Sequence, residues 1–66
     1  MAEDLIELLK VKMETNDRIV NLIDEELETL DDKKMKKILT KLRDSLSEES
    51  GNLCDNIIKL GGKFEG

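Results

Sequence analysis

Leu30 to Leu39 reads LDDKKMKKIL, and whether this stretch prolongs one helix or turns the chain back decides the fold. Upstream of it, Ala2, Ile6, Leu9, Met13, Asn16, Val20, Ile23, Leu27 and Leu30 recur alternately four and three residues apart, the seam of a heptad-patterned helix. The next positions in that register are Lys34 and Lys37, whereas the apolar residues stand at Met35, Ile38, Leu39, Leu42 and Leu46. The phase slips by about one residue at the aspartates. A single continuous helix would turn its two apolar stripes out of line. Asp31 or Asp32 can instead cap a new helix by accepting bonds from its free backbone N–H groups. The chain is therefore expected to be all-α, an antiparallel two-helix hairpin with helices over about 2–30 and 33–60. Gly61 and Gly62 follow the last apolar residue, where a left-handed C-cap belongs. Residues 1–62 form one helical-hairpin domain on this reading, and 63–66 a flexible C-terminal tail.

Charge agrees with a folded-back chain. Acidic residues at the end of the first helix and lysines at the start of the second both oppose their own helix dipoles. In a hairpin Asp24, Glu25 and Glu28 come near Lys33, Lys36 and Lys37, so the two costs partly cancel. Exposed pairs of this kind are individually weak, and they select register more than they add stability.

The chain has 66 residues, 41% of them charged, with one Phe and no Trp, Tyr, Pro or His. A lone domain of this size buries too little surface to stand comfortably without a disulfide, a metal or a partner. Cys54 is the single cysteine, which excludes an internal disulfide and reads as a buried structural thiol. Leu5, Leu8, Ile19 and Leu22 flank the first seam and broaden it to the width of a bundle helix. A second copy is the expected cover, giving a homodimeric four-helix bundle. Its core is expected to use Leu9, Met13, Val20, Ile23, Leu27, Leu39, Leu42, Leu46, Leu53 and Ile57.

The stripe of the second helix, followed onward from Leu39, Leu42 and Leu46, runs into Glu49, Leu53, Asn56 and Leu60. Folding the helices about Asp31 and Asp32 brings Asn16 level with Ser47 to Ser50. A polar layer of Asn16, Glu49, Ser50, Asn52 and Asn56 is thus expected at mid-height. Burying an unpaired amide costs about 1–3 kcal/mol, so such a layer persists when it fixes register or serves a site.

The segment EESGN, Glu48 to Asn52, carries a family resemblance. The chain resembles one helical hairpin of the ferritin-like superfamily, most closely the rubrerythrin-type half-bundle, over roughly Ala2 to Gly62. That family places a first-helix Glu opposite a second-helix Glu-x-x-His to bind two metal ions. Here Asn16 stands at the first ligand position, Glu49 at the second Glu and Asn52 at the His. With no His in the chain, Glu49 is the one family ligand retained, and the resemblance implies a metal site lost or reduced to Glu49.

A net charge of −5 excludes an ordinary nucleic-acid binder, which needs a basic surface. The apolar runs are too short to span a bilayer, and the acidic start MAEDLIELL is unlike a signal peptide, so the expected compartment is the cytoplasm. No Ser–His–Asp set, Cys–His pair or phosphate-cradling Gly loop is present, so no enzyme and no cofactor is implied. The expected function is a non-enzymatic, homodimeric interaction or regulatory module, with a further protein partner on its acidic outer face. Two alternatives are a divergent metal-binding protein using Glu49 from both chains, and an acidic inhibitor that occupies a basic groove on a larger protein.

Overall fold

The computed structural model describes residues 2–62. Two helices make up the fold, α1 over Ala2–Thr29 and α2 over Lys33–Lys59. The expected boundaries are met to within one residue at each end. The expected tail lies outside the described residues. No described helix is long and apolar enough to cross a membrane.

The break falls where the phase of the apolar pattern slips. Asp32 takes an extended conformation (φ −70°, ψ 113°), and its carboxylate accepts from the backbone N–H of Lys34 at 2.9 Å and of Met35 at 3.2 Å. These are free donors of a helix that starts on two lysines and has no acidic residue in its first turn. Asp32 thus supplies the negative charge that the helix dipole needs there. The far end closes as a Schellman turn: Gly62 N–H donates to Ile57 O at 2.9 Å and Gly61 N–H to Ile58 O at 3.0 Å. Gly61 sits at φ +89°, in the left-handed region. A methyl group at Gly62 would lie 2.5 Å from Ile57 Cγ2 and 3.1 Å from Ile6 Cγ2, so glycine is what lets the chain close over both helices.

Three contacts fix the antiparallel register. Asn16 meets Glu49, Asp24 meets Arg43, and Gly62 packs between Ile57 and Ile6. The result is a rod of 46 × 18 × 16 Å, one pair of helices thick. Its core is correspondingly thin. Ile23 and Ile57 are the buried apolar side chains among the described residues, and Asn16 lies between their levels with no exposure at all.

The seam of α1 is the one the sequence predicts, with Ile6, Leu9, Met13, Val20 and Leu27 half-buried about Asn16 and Ile23. That of α2 is rotated. Leu39, Leu46, Leu53 and Ile57 keep their expected places in the core and Ser50 its place in the polar layer. Arg43, however, is half-buried on that line, while Leu42, Glu49 and Asn56, expected on the central stripe, are exposed. Two alternations of four and three residues share those leucines. The hairpin uses one of them and leaves the other on its outer flank. Leu42 is 45% exposed there, and Asn56 is exposed with it.

Gly51 lies inside α2 with open space where a side chain would be. Gly51→Ala should therefore raise stability by about 1 kcal/mol, which for a chain this small is a rise of about 4–8 °C in Tm. Thermal unfolding followed by circular dichroism measures it.

Candidate functional site

Midway along the rod, three side chains form a closed triangle of polar contacts. Asn16 Nδ2 donates to Glu49 Oε1 at 2.7 Å, and Lys12 Nζ donates to Asn16 Oδ1 at 2.8 Å. Lys12 Nζ also lies 3.1 Å from Glu49 Oε1. Lys12 is one helical turn before Asn16, so its stem runs along α1 and delivers the ammonium to the amide oxygen. A carboxylate only accepts and an ammonium only donates, so this pairing allows the amide one orientation.

Burial is unequal across the triangle. Asn16 is fully enclosed, while the side chains of Lys12 and Glu49 keep 50% and 48% of their surface. The amide bridges a dry seam to a wet edge. Every strong valence of Asn16 that faces another side chain is met by a charged partner, which makes these bonds stronger than neutral ones.

The bond from Asn16 holds the Glu49 carboxyl below its usual value of 4.5, with Lys12 adding a hydrogen bond and its charge, and slight desolvation opposing. A carboxyl lowered in the folded state stabilises the fold fully above its unfolded value and loses that contribution as pH falls through the folded one. Stability should thus decline as pH is taken from about 5 towards 3, and the decline should be shallower in Glu49→Gln. Urea midpoints of the two proteins across that range check it. The carboxylate is half-exposed and solvent screens it, so the effect is a difference in slope and not a collapse.

Of the other expected members of the layer, Ser50 is half-buried at the same height, but its hydroxyl has no hydrogen-bond partner. Asn52 and Asn56 are exposed and outside the triangle. Both lie round α2 from the line of Leu46, Ser50 and Leu53 that meets α1. Ser50→Ala removes a dry, unpaired oxygen and should leave Tm unchanged or raise it.

Asp24 departs from its expected partners. It lies 2.6 Å from Arg43 Nε, a contact too bent to count as a hydrogen bond, and not against the lysines of the turn. Among the described residues no ion pair joins the acidic end of α1 to Lys33, Lys36 or Lys37.

Within one hairpin the triangle does not fit a metal ion. Lys12 already puts a positive charge on Glu49 Oε1 and Asn16 Oδ1, the two oxygens a cation would use. No group of three or more His, Cys, Asp or Glu side chains is placed to bind metal among the described residues. The ammonium does the electrostatic work there. Lys12 is the participant the sequence reading missed, and its signal was available: a lysine four residues before the seam asparagine, on the flank that faces α2. Cys54 is half-buried.

No protein-family model, curated protein or solved structure matches this chain. The triangle and the surface around it are therefore the whole basis for a functional reading.

Proposed function

We propose that this chain is a non-enzymatic interaction module that works as a homodimer, two hairpins packing face to face into a four-helix bundle. The observation that carries this is where the exposed apolar side chains fall. Met35, Leu42, Glu49 and Asn56 recur every seven residues on α2, and Leu5, Lys12, Ile19 and Glu26 do so on α1. The Lys12–Glu49 contact sets these two rows along the same side of the hairpin. Leu8 and Leu22 adjoin the α1 row and are 64% and 56% exposed; Ile38 adjoins the other at 57%. The opposite side carries Lys10, Asp17 and Asp24 on α1 and Thr40, Ser47 and Cys54 on α2 in the same register, with Ile58 exposed beside them.

A hairpin with one leucine-rich side and one more polar side is half of a two-layer structure. A core as thin as Ile23 and Ile57 gives one copy little stability, and a second copy adds what is missing. The ferritin-like resemblance belongs to this proposal as a likeness of shape. On the outside, a charge of −5 per chain suits a basic protein partner that electrostatic attraction brings in quickly. Native mass spectrometry of the untreated protein tests the reading, which expects twice the chain mass and no added metal. The chain mass alone at micromolar concentration overturns it.

A further inference from the structure

We propose that the two copies pack with both Asp31–Asp32 turns at the same end of the bundle, and that Lys12 and Glu49 of each copy alternate with those of the other in a ring of four charges. The inference rests on the dimer reading above and goes on to fix its geometry. Two ways of placing a two-fold axis in the plane of the apolar side leave every neighbouring helix antiparallel. One runs the axis along the rod, so that α1 faces the partner's α2 and the turns coincide. The other runs it across the rod at mid-height, so that each helix faces its own copy and the turns lie at opposite ends.

Charge separates them. The Asn16–Glu49 bond sets the levels of the two helices, and α1 counted up matches α2 counted down. With the axis along the rod, Lys12 faces the partner's α2 at the level from which it already reaches Glu49 in its own chain. Each lysine then has a carboxylate on either side. At the outer edge Asp4 comes level with the partner's Lys59, and the acidic last turns of α1 face the lysines that open the partner's α2.

With the axis across the rod at the level of the Asn16–Glu49 bond, carboxylates meet carboxylates and Lys12 gains no partner. Glu49 comes opposite the partner's Glu49, Lys12 comes level with the partner's Val20, and Asp4 approaches the partner's Glu28. Charges that dimerisation takes out of water tolerate such mismatches poorly, so this arrangement is selected against. An unrelated partner would have to present its own charge pair at this height. A second copy does so by symmetry.

The ring is incomplete in one chain, whose Lys12 and Glu49 retain about half their exposure. Its completion explains why a small protein keeps a charged pair in the middle of its leucine-rich side. The pair contributes orientation where leucines would contribute only adhesion.

The test places a nitroxide on each copy at the turn, using Cys54→Ser with Asp31→Cys in the full chain, and measures the separation by pulsed dipolar spectroscopy alongside the mass. Same-end packing gives a separation within about 25 Å, because the labelled turns lie across a bundle about two helix diameters wide. A separation of about 40 Å or more in a protein of dimer mass overturns the orientation and leaves the dimer standing. The chain mass with no dipolar signal overturns both. Charge variants give an independent reading: Lys12→Glu should weaken the dimer about a hundredfold, and Lys12→Glu with Glu49→Lys should restore it to within about tenfold. Equal weakening by the single and the double variant overturns the ring.

Discussion

Leu42→Glu is expected to separate the two copies while leaving each hairpin helical. In one chain Leu42 already keeps 45% of its surface, so the substitution removes little that the hairpin itself uses. In the dimer the same position lies in the centre of the apolar side, one heptad from Glu49 on its row. Each copy then loses the burial of the exposed part of a leucine, about 1 kcal/mol, and must bring an unpaired carboxylate out of water. The two copies together lose on the order of 4–6 kcal/mol, which weakens association by about three to four powers of ten. Leu22→Glu should act alike from α1. Light scattering reports the mass and far-ultraviolet circular dichroism the helix content. A dimer unchanged by Leu42→Glu would mean that this side is not the contact.

Asn16→Leu is expected to raise stability by about 1–2 kcal/mol and to loosen the register of the dimer. The direction follows from what the substitution leaves behind. Removing a buried amide usually orphans its partners, but Lys12 and Glu49 are 3.1 Å apart and half in water, so they keep each other and their hydration. What changes is the seam, where an amide enclosed on all sides gives way to a hydrocarbon continuous with Met13, Val20 and Ile23. The added volume uses part of the gain. With the amide gone, the charge pair is no longer tied to the seam and the copies can pack at more than one height. Urea unfolding measures the first effect, and broadened or doubled amide resonances report the second. A protein that is less stable with leucine at this position would show that the triangle contributes more than alignment.

The hairpin was legible because its signals are local. The slip of phase at Lys34, the capping aspartate and the two terminal glycines each act within a turn of helix, and each lies where a helix begins or ends. The level of the polar contact was legible too, since folding about the turn brings Asn16 opposite Ser47 to Ser50 by counting alone. The rotation of α2 was not. Leu39, Leu46 and Leu53 belong to two seams at once; Ile57 and Ser50 were expected beside them, but whether Leu42, Glu49 and Asn56 or that flank with Arg43 turns inward depends on how the two helices roll against each other.

That ambiguity has a physical source. A helix that contacts one neighbour needs one flank of its leucine line, and a helix in a four-helix bundle needs both. The sequence of α2 offers leucine and isoleucine on both flanks, so reading it as a single stripe mixes the intrachain contact with the outer side. Lys12 was illegible for a related reason. A lysine on a flank is ordinarily a solvated charge, and only its reach back to Asn16 and across to Glu49 shows otherwise.

Sedimentation equilibrium from nanomolar to tens of micromolar protein tests the central claim most directly. The account predicts a reversible transition from the chain mass to twice that mass, complete within the range and shifted to higher concentration by Leu42→Glu. A single species at the chain mass throughout, fully helical and with Leu5, Leu22 and Leu42 in water, would contradict it.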